Sequence, residues 1–211
     1  MNSPSRPELR RLLRQTRRAL STQQQRLAAH QLYRQLAQHP CFRRARHIAL
    51  YLPSDGEIDP RPLLHAAQRR GKATYLPVLS AWPRTKMVFQ RVRPHERLRL
   101  NRFRIQEPRI QPRQQRAVWA LDLVLMPLVG FDAQGGRLGM GGGFYDRSLA
   151  RLRKNGHKPT LLGLAHECQK VERLALASWD VPLHGTVTDQ RWYGEHPALS
   201  ARKNLKAGST G

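Results

Sequence analysis

Residues 123–147 read LVLMPLVGFDAQGGRLGMGGGFYDR, and the glycine-rich part of this stretch, residues 135–147, contains six of the fifteen glycines of the chain. The apolar run Leu123–Val129 predicts a buried strand. Tyr145, Leu149 and Leu152, at positions i, i+4 and i+7, predict a helix after the glycines. The chain therefore passes from a strand through a glycine-rich loop into a helix. This order directs backbone N–H groups and the positive end of a helix dipole into one small space, and it predicts a binding site for an anion such as phosphate.

Two common phosphate-binding motifs do not fit this loop. A Walker A motif requires Gly-Lys-Ser/Thr before its helix, and the loop contains no lysine. The dinucleotide-binding fingerprint requires a third glycine three residues after the second. Counted from Gly139 and Gly141, that position holds Phe144. The loop therefore belongs to another class of phosphate-binding protein.

The length and composition indicate one medium-sized globular domain, which we expect over residues 1–199, followed by a disordered basic tail over residues 200–211. No apolar run approaches the ~20 residues of a membrane span. The segment Met1–Arg6 lacks the apolar core of a signal peptide. The two cysteines, Cys41 and Cys168, are too few for a disulfide framework or a zinc site. We expect a cytoplasmic protein with no membrane partner.

The chain carries a strong positive charge, with 38 Lys and Arg against 14 Asp and Glu and a net charge of +24. Such a charge attracts nucleic acids, nucleotides and polycarboxylates. However, the basic residues are spread along the whole chain, which favours a solvated basic surface over a nucleic-acid footprint. We therefore expect no nucleic-acid partner, and a basic nucleic-acid-binding or assembly factor remains the alternative class.

The N-terminal region predicts two helices. The first runs over Arg6–Ala19, with leucines on one face and arginines on the other. Amphipathic helices usually turn such charges to solvent, so we expect a solvated face formed by Arg10, Arg14, Arg17 and Arg18. Ser21 and Gln24 form a capping-box pattern at the start of the second helix, which continues to about Gln38.

The next segment has the pattern of a parallel α/β sheet. The apolar run Ile48–Pro53 predicts a strand, the segment Ser54–Asp59 a polar corner, and Asp59 with Pro60 the start of a helix. A second strand follows at Ala73–Pro77. In parallel sheets ligands collect at the carboxyl ends of strands, where we expect both Glu57 and the glycine loop.

The remaining segments predict further strands around a long loop. Strands are expected at Met87–Val92, Thr160–Ala165 and around Thr186–Val187. The polar, proline-dotted segment Arg93–Arg116 is typical of a surface excursion.

Four residues are candidates for chemistry, each with an ordinary alternative. Asp146, in the first turn of the helix, is either a helix-dipole partner or a Mg²⁺ ligand beside a bound nucleotide. Asp180 is either a turn residue or a second ligand. Arg137 either neutralises phosphate or is solvated. Tyr145 either stacks on a ligand or packs in the core.

Several motifs together resemble one enzyme family. Residues 137–147 closely resemble the signature of the 5-formyltetrahydrofolate cyclo-ligases, also called 5,10-methenyltetrahydrofolate synthetases. Further segments resemble other family motifs in family order across nearly the whole chain: Arg6–Arg10, Leu52–Ile58, Ile105–Pro108 and Asp180–Thr188.

The resemblance implies a fold and a reaction. The fold would be three-layer α/β/α with a mostly parallel central sheet, of the NagB/RpiA/CoA-transferase-like type. The reaction would be the ATP- and Mg²⁺-dependent cyclisation of 5-formyltetrahydrofolate to 5,10-methenyltetrahydrofolate, a step of one-carbon metabolism that releases ADP and phosphate. ATP would phosphorylate the formyl oxygen, and N10 of the folate would then attack the activated carbon. We also expect a monomer whose partner is 5-formyltetrahydrofolate, including its polyglutamylated form.

The resemblance also assigns roles to residues. Arg137 and Tyr145 would be catalytic, and Asp146 and Asp180 would hold Mg²⁺. ATP would contact basic residues and the glycine loop: Arg6, Arg10, Arg137, Leu138, Gly139, Met140, Gly141, Gly142, Gly143, Phe144 and Tyr145. Folate would contact Arg10, Leu52, Glu57, Met140, Gly141, Gly142, Gly143 and Phe144.

Overall fold

A computed structural model describes residues 4–80, 87–150, 152, 159–174 and 181–194 of the chain. The expected basic tail and Asp180 lie outside the described residues. Within the described part, no helix combines the length and the apolar character that crossing a bilayer requires.

The described residues form helices and short strands. The helices are α1 Arg6–Arg18, α2 Thr22–Ala37, α3 Pro40–Arg44, α4 Arg61–Arg69 and α5 Phe144–Leu149. The strands are β1 His47–Ala49, β2 Ala73–Leu79, β3 Met87–Val92, β4 Leu98–Leu100, β5 Gln106–Pro108, β6 Gln115–Arg116, β7 Leu123–Pro127, β8 Gly130–Phe131, β9 Arg137–Leu138, β10 Thr160–Leu164, β11 Gly185–Val187 and β12 Trp192–Tyr193.

The main sheet has the strand order β12-β11-β10-β7-β1-β2-β3-β6. Its centre, from β11 to β2, is parallel, as predicted. The outer strands β12, β3 and β6 are antiparallel to their neighbours. Because β1, β7 and β10 are adjacent and parallel, their carboxyl ends meet at one edge of the sheet, which is where the sequence predicts a ligand.

Side chains alternate across the sheet and build a core on each face. Ile48 and Leu123 pack with α2, α3 and α4 on one face. Their chain neighbours Ala49 and Val124 pack with Leu149 of α5 on the other. Two faces covered by helices explain why these strands are apolar throughout. The predicted three-layer architecture is confirmed.

Some local predictions need correction. The first strand ends at Ala49 rather than at Pro53. The N–H of Leu50 still donates to the Tyr75 carbonyl at 3.0 Å, and beyond this residue the chain leaves the sheet. The region 93–116 is not simply a surface loop, because it contains the β4–β5 hairpin and strand β6.

The helix starts follow the predicted capping chemistry with a small shift. The Ser21–Gln24 capping box is present. Asp59 caps α4 from one position further out than expected, since its Oδ1 accepts the backbone N–H of Arg61 at 2.8 Å.

Candidate functional site

The first two glycines of the glycine-rich segment belong to a hairpin rather than to the ligand loop. Strands β8 and β9 pair, and Gly135 and Gly136 lie in their turn. The buried Asp132 accepts the N–H of Gly136 at 2.7 Å, and a Cβ on Gly136 would lie 2.3 Å from that carboxylate. The predicted anion loop therefore narrows to Gly139–Gly143.

The remaining loop requires glycine for its backbone. Gly141 and Gly143 have φ values of +92° and +62°, which other residues adopt only with strain. Gly143 is the N-cap residue of α5. Arg147, one turn later, donates to the Gly142 carbonyl at 2.6 Å and so holds the loop against the helix. The result is an exposed backbone loop whose shape is fixed from both ends.

Arg137 and Asp146, at either side of the loop, form an ion pair. Arg137 is only 6% exposed and also donates from Nε to the Val181 carbonyl at 3.0 Å. The alternative of a solvated Arg137 is therefore wrong. The Asp146 side chain is 25% exposed, so it remains accessible from solvent while it is paired.

Helix α1 reaches the loop through Arg10. Its Nε donates to the Gly139 carbonyl at 2.9 Å. The guanidinium carbon would lie 3.5 Å from a Cβ placed on Gly141. Two segments more than a hundred residues apart in sequence thus form one cationic loop surface.

Arg17, on the same helix, is fully buried, and the prediction that it belongs to a solvated face is wrong. Its Nε donates to the Asp55 carbonyl at 2.8 Å, one terminal nitrogen donates to the Leu128 carbonyl at 3.0 Å, and the other bonds to the Asp55 carboxylate at 2.9 Å. The guanidinium therefore joins α1 to the ends of two neighbouring strands.

The same guanidinium also lies between two predicted ligand residues. One of its nitrogens is 3.8 Å from Oε1 of Glu57 and 4.0 Å from the sulfur of Met140. Because a single buried cation contacts the polar corner and the glycine loop, it sets the distance between them.

Asp55 gathers three arginines at the polar corner. Arg14 and the more exposed Arg18 pair with the same carboxylate as Arg17. Burial alone would raise the pKa of Asp55, but the hydrogen bonds from the three arginines outweigh it and lower the pKa to about 2. The corner is therefore held by a fully ionised carboxylate at neutral pH.

Glu57 behaves differently, although it is two residues away. Its side chain is 9% exposed, and burial raises its pKa to about 7 against the opposing effect of Arg17. Its Oε2 accepts the Ser54 N–H at 3.1 Å. A nearly buried carboxyl whose pKa is raised to about 7 is typical of a functional site.

Tyr145 lies within electrostatic reach of this carboxyl. Burial raises the pKa of its hydroxyl, the charge of Glu57 adds to the effect and Arg137 opposes it. Its ring also packs against the second core cluster. Tyr145 therefore makes the core contact that the sequence analysis gave as the alternative to stacking on a ligand. Its hydroxyl stays protonated at neutral pH because its pKa is raised.

The other predicted ligand residues differ in their surroundings. Met140 is 53% exposed and Leu52 is half-buried against the core. The guanidinium of Arg147 lies over the Phe144 ring, 5.3 Å from its centre. Arg6 opens α1. Leu138 is different, because its side chain is buried in the core and only its backbone can face a ligand.

Sequence reasoning missed the support that comes from the end of β10. His166 is 2% exposed, and its Nε2 lies 3.2 Å from the Gly56 carbonyl. Gln169 donates to the carbonyls of Leu128 and Val129 at 2.7 and 2.9 Å. No motif or spacing marks these residues, since their partners are backbone atoms of distant segments.

The described residues contain no group of three or more acidic, histidine or cysteine side chains placed to hold a metal. Mg²⁺ typically needs one or two protein carboxylates, with phosphate oxygens and water completing its shell. Asp146, accessible and next to the loop, fits that requirement.

Comparisons with known proteins point to one family. The model of the 5-formyltetrahydrofolate cyclo-ligase family matches residues 2–189. The 5-formyltetrahydrofolate cyclo-ligase of Escherichia coli K12 is 39% identical over 180 residues, which cover 85% of this chain and 98% of that protein. Its counterpart from Haemophilus influenzae is 38% identical over 187 residues, covering 87% and 97%.

Solved structures give the same result. The 5,10-methenyltetrahydrofolate synthetase of Aquifex aeolicus superposes with a TM-score of 0.77 at 30% identity, covering 90% of this chain and 92% of that one. The enzyme of that name from Mycoplasma pneumoniae has a TM-score of 0.65 at 25% identity, covering 89% and 100%.

Proposed function

The chain belongs to the 5-formyltetrahydrofolate cyclo-ligase family and is therefore a ligase, and we propose that it uses ATP and Mg²⁺ to convert 5-formyltetrahydrofolate into 5,10-methenyltetrahydrofolate. In this reaction the γ-phosphoryl group moves to the formyl oxygen and ADP is released. N10 then attacks the formyl carbon, loses its proton, and the phosphate leaves with the former formyl oxygen. The proposal includes a cytoplasmic monomer with one domain over residues 1–199, which also accepts polyglutamylated folate.

The observation that carries the proposal is the meeting of three family motifs around Arg17. Helix α1, the polar corner and the glycine loop are far apart in sequence, yet this guanidinium contacts Asp55, Glu57 and Met140. Phosphoryl transfer asks mainly for positioning and charge neutralisation. A surface assembled from three segments by a buried cation supplies both.

For ATP, the chain would supply arginine side chains and the backbone N–H groups of the glycine loop, and no nucleophile is required of it. Arg6 and Arg10 of α1 and the loop Gly139–Gly143 would bind the phosphates of ATP. Arg137 would neutralise charge on the transferred group, for which its burial beside Asp146 makes it well placed. Asp146 would be the protein ligand of Mg²⁺, and Asp180 is retained as the proposed second ligand. The metal would neutralise phosphate charge.

On the folate side, Glu57 is the central group. An ionised carboxylate accepts two parallel N–H bonds, which matches the amino and ring N–H groups of a pterin. Apolar contacts to the folate would come from Leu52, Met140 and Phe144. Tyr145, with its protonated hydroxyl, would donate a hydrogen bond to the reacting formyl group.

The direct test is the formation of methenyltetrahydrofolate, followed by its absorbance. Purified protein with 5-formyltetrahydrofolate, ATP and Mg²⁺ should produce the signal, and leaving out ATP or adding a chelator should remove it. Unformylated tetrahydrofolate is the matched control substrate and should give no signal. A well-folded protein that shows no turnover with all components present would contradict the proposal.

Glu57→Gln should raise the stability of the protein and weaken its binding of substrate. Protonated Glu57 is the favourable buried form, so its stabilising contribution is complete below the unfolded-state pKa of 4.5 and is lost as the pH rises through about 7. The neutral variant avoids that loss, so it should be more stable than wild type at pH 8, by at most about 3 kcal/mol, and equal to it near pH 4. Substrate affinity should fall about tenfold because one charge-assisted acceptor is lost.

Thermal melts across pH and substrate titrations measure the two effects of Glu57→Gln separately. Asp122→Asn is the control, since Asp122 lies at the opposite edge of the sheet and bonds to backbone N–H groups of Arg46 and His47. Equal stability of wild type and Glu57→Gln at pH 8 would show that the buried carboxyl is not costly to ionise.

A further inference from the structure

Opposite the glycine loop, the amino ends of the parallel strands form a basic surface. Arg46 directly precedes β1, and Lys72 directly precedes β2. Strands β3 and β6 add an arginine each. We call this the amino-edge surface and define it by six cations: Arg43, Arg46, Arg70, Lys72, Arg91 and Arg116.

One half of the amino-edge surface lines an open surface cavity of about 500 Å³, formed by Gln38, Arg43, Arg70 and Lys72. Lys72 donates to the carbonyls of Arg43 and Ala45 at 2.7 and 2.6 Å. Arg70 donates to a carbonyl at the end of α2, at 2.7 Å. Lys72 and Arg70 are therefore held in place by backbone carbonyls at the ends of α3 and α2.

Electrostatic interactions connect this cavity to the other half of the amino-edge surface. The pKa of Lys72 is lowered by burial and then by Arg70, with Asp122 opposing. The pKa of His47 is lowered by burial and then by three arginines of the surface, with Asp122 again opposing. Asp122 therefore lies near both groups, and one of its oxygens already accepts the N–H groups of Arg46 and His47 at 2.8 Å.

An exposed aromatic side chain adjoins these cations. Trp119 is 49% exposed and lies on a 3₁₀ turn, Val118–Ala120. The Ala120 carbonyl of that turn accepts the Nε of Arg116 at 2.7 Å. The turn that carries the exposed indole is thus tied to Arg116, one of the six cations.

We propose that the amino-edge surface binds single-stranded nucleic acid, with its cations on successive phosphates and Trp119 stacked on a base. Cations that follow the backbone and aromatic rings that stack on bases are the two components of sequence-tolerant single-strand binding. Trp119 distinguishes this ligand from polyanions that lack bases. The surface lies at the opposite edge of the sheet from the glycine loop, so this binding is an activity beside the ligase reaction.

The first test compares two triple variants with equal change in charge. Arg43→Gln/Arg46→Gln/Arg91→Gln removes three exposed cations of the surface, and Arg26→Gln/Arg34→Gln/Arg173→Gln removes three exposed cations elsewhere. Binding of a fluorescein-labelled oligouridylate of about 16 nucleotides is followed by anisotropy between about 50 and 200 mM salt. The amino-edge variant should bind at least about tenfold more weakly, with its salt slope reduced by about 2. Equal weakening by both variants would overturn the proposal, because the charge would then act diffusely.

The second test removes the stacking platform. Trp119→Ala should weaken oligouridylate binding about tenfold and leave heparin binding unchanged, since heparin is a polyanion without bases. An unchanged affinity for oligouridylate would overturn the assignment to nucleic acid. Circular dichroism and ligase turnover equal to wild type, expected for all three variants, exclude misfolding as the cause.

Discussion

Asp146→Asn should lower kcat/KM at least a hundredfold while the protein stays folded. Metal-assisted charge stabilisation at a transferring phosphoryl group contributes several kcal/mol, and each 1.36 kcal/mol is a factor of ten in rate. The substitution keeps the size of the side chain and removes its charge. It also leaves the buried Arg137 with the Val181 carbonyl as a remaining partner, so some loss of stability accompanies the loss of activity.

The Mg²⁺ requirement separates the two roles of Asp146. If Asp146 is a metal ligand, Asp146→Asn should need a much higher Mg²⁺ concentration for half-maximal turnover. If Asp146 is only a structural partner of Arg137, the variant should have a lower melting temperature and an unchanged Mg²⁺ requirement. Asp146→Glu should recover part of the activity because it restores the charge. Turnover by Asp146→Asn within threefold of wild type at the same Mg²⁺ concentration would refute the assignment.

Arg17→Met should cost about 3–5 kcal/mol of folding free energy, the usual result of removing one member of a buried charge pair. The variant loses hydrogen bonds to the Asp55 and Leu128 carbonyls and the contact with the Asp55 carboxylate. The pKa of Glu57 should also rise further, because the cation that opposes its burial is gone. Substrate binding should then require a higher pH.

Arg18→Met is the matched control for this prediction. Arg18 pairs with the same carboxylate of Asp55, but its side chain is 52% exposed. Exposed ion pairs contribute roughly 0–1 kcal/mol, so this variant should unfold at nearly the wild-type denaturant concentration. Urea titrations of both variants give the comparison. Equal losses would mean that burial does not determine the contribution of these arginines.

The architecture followed from local patterns because strands and helices leave regular signals. The alternation of apolar runs with helical spacing predicted the parallel centre of the sheet, including β7 and β10. The edge strands β6 and β12 escaped prediction because strands of two residues are too short to show a period.

The candidate site could be predicted only where its residues are neighbours in sequence and form one motif. Asp146 and the loop Gly139–Gly143 are neighbours, and their motif was visible. Arg17 was misassigned because helical periodicity identifies a polar face without saying what covers it. Its partners, Asp55 and Leu128, are 38 and 111 residues away.

The bonds from α1 to the rest of the chain also set an order of assembly. Arg17 and Arg10 of this helix bond to Leu128 and Gly139, which are made more than a hundred residues later. During synthesis, which proceeds at about 5–20 residues per second, α1 leaves the ribosome several seconds before these partners. Helix α1 can therefore form these bonds only after residues 128 and 139 have been made, so its docking comes late relative to its own synthesis.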